Sequence, residues 1–161
     1  MKSKFTIKTY IVILLLFAVI FAMIKVIPTF FYNPYYDDKI FPKIFVPSML
    51  ILTLLFLIGE LRTKVVMIKI ENNQFEIKKF FGLKVETYKF SEIKGWKNSL
   101  QTAKGGTYEY LYLYRNDKKI IKLSEFYHKN YSNLKNEIEN KIEYLGYEPF
   151  SFIDEFKEIF T

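Results

Sequence analysis

The sequence predicts a membrane-embedded α-helical hairpin followed by a soluble, β-rich (α+β) domain. Three observations lead to this fold class. Two runs of 16 residues, 9–24 and 44–59, contain no charged side chain. From residue 65 onward, apolar and polar side chains alternate with the period of a β-strand. Towards the C-terminus, a single apolar stripe recurs with the spacing of an α-helix.

The two uncharged runs are long enough to cross a bilayer. A hydrocarbon core of about 30 Å requires roughly 17–25 helical residues, and with their flanks the runs cover spans of about 9–27 and 44–61. Lys25 then lies near a helix end, where its long side chain reaches the membrane interface. Two buried helices of a soluble protein are the alternative, but helices that are apolar on every face need a large protein around them. Only 100 residues follow Leu61.

Basic residues in the flanks predict the topology. Three of them precede the first span, three follow the second span, and three serve both helix ends of the connecting loop. Because basic residues concentrate in cytoplasmic loops, we expect a multi-pass protein of the cell (inner) membrane with both termini in the cytoplasm. A cleaved signal peptide is disfavoured, because residues 21–31 contain no small-x-small cleavage site.

The β-rich part is predicted from short alternating segments separated by turn signals. Asn72-Asn73 and Asn116-Asp117 predict tight turns, because Asn and Asp tolerate positive φ. A glycine-containing loop is expected over residues 101–106. Closely spaced short strands are typical of an antiparallel sandwich or barrel. The strands are expected at residues 66–71, 75–78, 85–88, 95–100, 107–115 and 118–123.

The apolar stripe predicts a helix over residues 131–145. Asn130 is a suitable N-cap residue, and Gly146 stands where a C′ glycine belongs. We expect this helix to close the open end of the preceding sheet. Beyond Pro149, apolar residues at helical spacing in residues 151–160 predict a second, amphipathic helix. It is too short to be stable unless it docks on another part of the chain.

This layout resembles the small bacterial two-span membrane proteins that carry a C-terminal pleckstrin-homology-like (PH-like) domain. The resemblance rests on the double span, the strands VVMIKI, QFEIKKFFG and KVETYKFSEI, the hairpin TYEYLYLYRNDKKIIKL and the helix YSNLKNEIENKIEYLG. It implies a PH-like antiparallel barrel or sandwich capped by the C-terminal helix, and an interaction or assembly role without enzymatic activity. The implied domains are 1–61 for the tail and hairpin, 62–148 for the PH-like domain, and 149–161 for a short amphipathic segment.

The composition excludes several kinds of chemistry. The chain has no cysteine and one histidine, so it offers no disulfide, no thiolate nucleophile and no Cys- or His-rich metal site. His128 lies before the C-terminal helix with no nucleophile elbow such as GxSxG nearby, and we interpret it as a solvated loop residue. Asp37 and Asp38 alone are too few for a calcium site. We therefore predict a protein without enzymatic activity, cofactor or metal.

One candidate interaction site combines basic residues with the single tryptophan. Lys94, Lys97 and Lys104 flank a flexible loop that contains Trp96. Basic residues close to an anionic bilayer gain about 1 kcal/mol each, so this group is a candidate lipid-surface contact. A solvated loop of a lysine-rich protein is the plainer alternative.

A second candidate is a row of tyrosines on one predicted strand. Tyr108, Tyr110, Tyr112 and Tyr114 alternate with other residues, so they share one face of the strand. Tyrosine is enriched at binding interfaces, which makes the row a candidate partner surface. The alternative is a packing ladder between strands, with the intervening leucines on the core face.

Together these patterns predict an integral membrane protein that presents a non-enzymatic PH-like interaction module at the cytoplasmic membrane face. We expect it to contact lipids through its two spans and to bind a protein partner. A membrane-bound immunity-type protective factor, or a module that senses anionic lipid, is the alternative. The residues after Leu61 carry 18 basic and 14 acidic side chains. Nucleic acid is not expected as a partner, because it calls for a denser basic stripe.

Overall fold

The chain folds into an α+β structure in which two long apolar helices precede a sheet domain. The computed structural model describes residues 1–79, 82–103 and 105–160. The prediction of two apolar helices followed by a β-rich domain is confirmed. The described elements are α1 (Ile7–Tyr32), α2 (Ile40–Lys64), β1 (Met67–Glu71), β2 (Gln74–Lys79), β3 (Lys84–Lys89), β4 (Gly95–Ala103), β5 (Gly106–Arg115), β6 (Lys118–Ser124), α3 (Tyr131–Glu139), β7 (Tyr144–Tyr147) and α4 (Phe152–Phe160).

Helices α1 and α2 pack against each other as a hairpin. Both are long and apolar enough to span a membrane, and each extends beyond the predicted span at both ends. Large apolar side chains such as Leu14, Phe17 and Ile44 remain exposed in the folded chain. Helices that are apolar all round and uncovered by protein suit a lipid environment.

The strands form two separate sheets. The first has the order β1-β2-β3 and is antiparallel throughout. The second has the order β6-β5-β4-β7, in which β7 runs parallel to β4. Among the described residues the strands do not close into a barrel, so of the two predicted arrangements only the one with two sheets is observed.

Two of the turns follow directly from local sequence chemistry. Asn72 and Asn73 have φ values of 50° and 57°, and Asn116 and Asp117 have φ values of 47° and 60°. These are the left-handed conformations that a two-residue hairpin turn requires and that Asn and Asp accept at low cost. Both predicted turns are confirmed.

The expected loop over residues 101–106 is wrong. Gln101, Thr102 and Ala103 continue β4, and Ala103 pairs with Gly106 across a tight hairpin. The pairing of β4 with β5 extends over the whole length of β4. Each added pair satisfies backbone hydrogen-bonding groups that a loop would leave to solvent.

The predicted helix over residues 131–145 is too long. Helix α3 ends at Glu139, and residues 144–147 form β7 beside β4. The backbone N–H of Trp96 donates to the carbonyl oxygen of Glu143 at 2.9 Å. Gly146 therefore lies in a strand with φ of 108° and is not a helix C′ residue. The free edge of β4 offers backbone partners that a longer helix could not reach.

A single hydrophobic core joins both sheets and α3. Strand alternation turns every second side chain inward, and α3 contributes three residues of one face, Tyr131, Leu134 and Ile138. The described hydrophobic residues with no exposed surface are Ile68, Phe75 and Ile77 from the first sheet, Leu111, Leu113 and Leu123 from the second, and Leu134 and Ile138 from α3.

The sheet domain is joined to the helical hairpin by a short connection. Only Val65 and Val66 separate α2 from β1, and Val65 packs with Leu61 and Tyr127 in a second small cluster. The Tyr127 hydroxyl donates to the carboxylate of Glu60, near the end of α2, at 2.7 Å. A two-residue connection held by packing on both sides restricts how the domain can turn relative to α2.

The N-terminal tail fixes the domain a second time. The backbone N–H of Ser3 donates to the carbonyl oxygen of Ile68 at 2.8 Å, and that of Ile70 donates to Met1 at 2.7 Å. The N–H of Thr6, immediately before α1, donates to Tyr127 at 2.9 Å. The tail, the end of α2 and the sheet domain therefore lie together at one end of the helical hairpin.

Candidate functional site

The tyrosine row of β5 is covered by the chain itself. Tyr110 and Tyr112 are each only 3% exposed. The Tyr110 ring stacks at 6.1 Å from the ring of Phe150. The ammonium group of Lys119 lies 3.8 Å from the centre of the Tyr112 ring. The predicted shared face is present, but its two central tyrosines are not an open surface.

The cover is the C-terminal strap, which we define as residues 148–160. Its first residue, Glu148, accepts a hydrogen bond from the Tyr114 hydroxyl and pairs with Lys119 at 3.3 Å. The next residues carry Phe150 over the tyrosine row. The strap ends in α4, which packs against α2 and forms ion pairs with lysines of β6. The C-terminal segment therefore docks on the sheet domain, as its short length requires.

Acidic residues of α4 hold the strap to lysines of β6 and α2. Glu155 pairs with Lys64 at 3.1 Å and also contacts Lys122. Glu158 pairs with Lys119 at 2.8 Å and with Lys122 at 3.3 Å. Residues three apart on a helix face the same way, so both carboxylates reach the same row of lysines. This charge complementarity is readable in the sequence, but the sequence does not show that the two segments meet.

Lys122 is a buried cation at the centre of this contact. Its side chain is only 4% exposed, and its ammonium group lies 5.0 Å from the centre of the Tyr110 ring. Burial lowers the pKa of Lys122 to about 8, and the nearby Lys64 and Lys119 act in the same direction, whereas Glu158 opposes them. A buried charge is tolerated when it is paired, and α4 supplies the pairing.

The opposite face of α4 is apolar and largely exposed to solvent. Phe152, Ile153 and Phe156 are 73%, 69% and 51% exposed. The Phe156 ring lies 5.6 Å from the ring of Phe56, which stands more than two turns before the end of α2. The apolar face of α4 therefore continues the apolar surface of the helical hairpin.

A cavity of about 630 Å³ lies where the end of α2, α4, β6 and the ends of β2 and β3 meet. Its described lining includes two acidic residues, Asp154 and Glu158, against six basic ones. We call it the basic cavity. The six basic residues are Arg62, Lys79, Lys84, Lys119, Lys122 and Lys157. Sequence reasoning missed this cavity, because its basic residues come from five separate elements.

One carboxylate serves two of these lysines. Glu86 of β3 pairs with Lys79 at 2.9 Å and with Lys84 at 2.8 Å. Burial raises the pKa of Glu86, but hydrogen bonds from Lys84 and Lys79 outweigh it and lower the pKa to about 2. Two ammonium groups facing a single carboxylate leave this end of the basic cavity with an excess of positive charge.

The residues predicted as a lipid contact are not brought together as a loop. Trp96 is buried in the core and belongs to β4. Lys94 pairs with Asp117, and Lys97 pairs with Glu148 at 3.5 Å. At about 3.3 Å per residue, the two ends of β4 are roughly 26 Å apart. The expected flexible loop around Trp96 is wrong, and Lys104 lies outside the described residues.

The interpretation of His128 as a solvated residue is also wrong. The side chain is buried, and its Nε2 lies 2.8 Å from the carbonyl oxygen of Val66. Burial lowers the pKa of His128, which favours a neutral ring whose Nε2–H donates to that carbonyl. His128 therefore ties the connection after α2 to the loop before α3.

Comparison of the chain with protein-family models, curated protein sequences and solved structures gives no match. Within residues 1–79, 82–103 and 105–160, no three His, Asp or Glu side chains are grouped so that they could hold a metal ion. The two features that stand out are the strap-covered tyrosine row and the basic cavity beside it.

Proposed function

We propose that this chain is an integral membrane protein that presents a non-enzymatic, PH-like interaction module at the cytoplasmic face of the cell membrane. The observation that carries the proposal is the double attachment of the sheet domain. Two residues join it to α2, and backbone hydrogen bonds join it to the tail before α1. A domain attached at two points is held in one orientation, which suits assembly with another membrane protein better than a freely tethered domain does.

The arrangement of the domain supports a PH-like module while departing from the expected plan. Two mainly antiparallel sheets enclose one core, and α3 packs against both of them. The departure lies after α3, where β7 adds a parallel strand to the second sheet. The C-terminal helical element that follows, α4, packs on α2 and is joined to β6 by ion pairs.

Charge at one end of the hairpin supports a cytoplasmic location of the domain. The lysines of the N-terminal tail lie at the same end as Arg62 and Lys64, because the tail pairs with β1. A shared basic end is the arrangement that the positive-inside rule assigns to the cytoplasm.

We propose the outer edge of β3 as the partner surface. Within the described residues, β3 is the last strand of its sheet and pairs only with β2. Val85 is 54% exposed, and Thr87 is also exposed. An exposed edge presents backbone groups to which an extended segment of another protein can pair as an added strand. The tyrosine row can serve as a partner surface only after the strap is displaced.

Site-specific crosslinking in a mild detergent tests this proposal. The chain has no cysteine, so Thr87→Cys places a single thiol on the β3 edge, and Ser132→Cys on exposed α3 is the matched control. We expect the thiol at position 87 to yield a crosslinked protein of defined mass and the thiol at position 132 to yield none. Recovery of the monomer alone at position 87 under all conditions would count against a protein partner at this edge.

A further inference from the structure

We propose that the basic cavity binds the phosphate-bearing headgroup of an anionic lipid, at the end formed by Arg62, Lys79 and Lys84. Arg62 belongs to the last turn of α2. Lys79 ends β2 and Lys84 begins β3. All three line the same cavity of about 630 Å³. The inference depends on the placement of the domain at the membrane, but it requires no protein partner.

The position of the cavity relative to the membrane interface favours a lipid headgroup as the ligand. Helix α4 forms one wall of the cavity, and its Phe156 packs on Phe56 inside the apolar segment of α2. The exposed Phe152 and Ile153 on α4 complete a face that an interfacial helix buries at the boundary between headgroups and acyl chains. The cavity, on the polar side of α4, is then level with the lipid phosphates.

The pattern of ion pairs shows which end of the cavity attracts an anion. Lys119 and Lys122 are engaged by strap carboxylates, with Glu158 pairing to both of them. Lys79 and Lys84 share the single carboxylate of Glu86. The side chain of Lys84 is 62% exposed, so its ammonium can turn towards a ligand without breaking a buried contact.

The chemistry of this end matches a phosphate group. Arginine presents a planar array of N–H donors that fits phosphate oxygens, and lysine adds a point charge. The Nη2 of Arg62 donates to the backbone carbonyl of Glu158 at 2.6 Å, which orients the guanidinium along the cavity wall. The site lies at the opposite end of β2 from the Asn72-Asn73 turn.

Native mass spectrometry of the full chain in detergent tests the proposal. Phosphatidylglycerol is titrated against phosphatidylcholine with the same acyl chains, and the bound fraction gives the apparent Kd of each lipid. We expect the wild-type chain to retain phosphatidylglycerol preferentially. Neutralisation of both lysines in K79Q/K84Q should weaken that retention roughly 30-fold, since each lysine near an anionic lipid contributes about one factor of five.

Two further variants separate the site from general charge and from misfolding. K94Q/K97Q removes the same charge at two residues that are not part of the described cavity lining, and it should retain phosphatidylglycerol as the wild type does. Glu86→Gln leaves Lys79 and Lys84 without their shared carboxylate and should tighten phosphatidylglycerol binding. A gain in affinity cannot arise from loss of the fold.

Several results would overturn the proposal. These are equal retention of the two lipids by the wild type, equal losses of phosphatidylglycerol binding in K79Q/K84Q and K94Q/K97Q, or no gain of binding in Glu86→Gln.

Inorganic phosphate serves as the competing probe. If inorganic phosphate binds the wild type and saturating phosphatidylglycerol does not displace it, the ligand is a free phosphate and the lipid assignment fails. A negative crosslinking result at the β3 edge would leave these outcomes unchanged, so the two proposals fail separately.

Discussion

At the scale of single residues, Lys122 couples the C-terminal strap to the sheet domain. Its ammonium is buried beside Tyr110 and Tyr112 and is neutralised by Glu155 and Glu158. A buried cation that loses its partners destabilises the folded state strongly, because its desolvation is no longer compensated. Lys122 lies between the strap-covered tyrosines of β5 and the acidic residues of α4. Docking of α4 is therefore energetically important.

We predict that E155Q/E158Q lowers the free energy of unfolding by about 2 kcal/mol. Removal of one partner of a fully buried pair costs roughly 3–5 kcal/mol. The glutamate side chains are 14% and 29% exposed, so we expect water to screen part of that loss. Denaturant unfolding in detergent measures the change.

The matched control is Glu137→Gln on α3. Glu137 pairs with Lys141 on an exposed helix face, where water screens the two charges and the contribution to stability is small. Equal destabilisation by E155Q/E158Q and by Glu137→Gln would show that the strap contact is no stronger than a surface ion pair.

We predict that buried His128 makes the stability of the folded chain depend on pH near neutrality. Burial lowers the pKa of the folded histidine, so the unfolded chain takes up the proton first as the pH falls. The stability that the neutral ring contributes is complete above the unfolded pKa of about 6.5 and decreases as the pH falls below it. Thermal unfolding at pH 7.5 and at pH 5.5 should therefore show a lower Tm at the lower pH.

The variant His128→Gln isolates this contribution. Its amide can still donate towards the carbonyl of Val66, but it does not titrate in this range. We expect a smaller difference in Tm between the two pH values than in the wild type. An unchanged difference would assign the pH dependence to other groups.

At the scale of elements, the sequence is most informative where structure is local. The Asn72-Asn73 and Asn116-Asp117 turns are predictable because positive φ is a property of those residues themselves. The strands that follow from strict alternation are predictable for the same reason, since the period of two is set by the backbone.

The elements that the sequence misplaces depend on contacts between distant segments. Helical spacing continues through Ile142 and Leu145, yet α3 ends at Glu139 because the chain pairs with the edge of β4. The sequence predicts that Trp96 contacts the membrane interface. In the structure its side chain lies in the core, because its strand packs under α3. Neither outcome is visible in a window of neighbouring residues.

Gly95 has no side chain, and this leaves the space that β7 occupies beside β4. A Cβ atom at this position would stand 2.4 Å from the Cγ of Leu145 and 2.7 Å from the backbone oxygen of Glu143. We expect Gly95→Ala to cost about 1–3 kcal/mol, in the range of other overpacked sites. Hydrogen exchange of residues 144–147 should increase, because β7 is pushed away from β4.

The double variant G95A/L145A tests this explanation. Removal of the Leu145 side chain relieves the closest contact but not the contact with the Glu143 backbone, so only part of the lost protection should return. Normal protection of residues 144–147 in Gly95→Ala would show that β7 does not depend on the missing side chain.

At the scale of the whole molecule, the helical hairpin, the sheet domain and the strap meet at one surface. The basic cavity exists only after α2, β2, β3, β6 and α4 have assembled. Its six basic residues are spread over residues 62–157, and they form no basic cluster that sequence reading would select. The same assembly covers the central tyrosines of the row, which the sequence offers either as a candidate partner surface or as a packing ladder.

The central claim is that the sheet domain and both termini lie at the cytoplasmic end of a two-span hairpin. Labelling of single cysteines in intact bacterial cells with a membrane-impermeant maleimide tests it most directly, since the chain has no cysteine of its own. Exposed Asp38 lies in the connecting loop and exposed Ser132 lies on α3. The account predicts that the thiol of Asp38→Cys is labelled in intact cells, whereas that of Ser132→Cys is labelled only after permeabilisation. Labelling of Ser132→Cys in intact cells would contradict it.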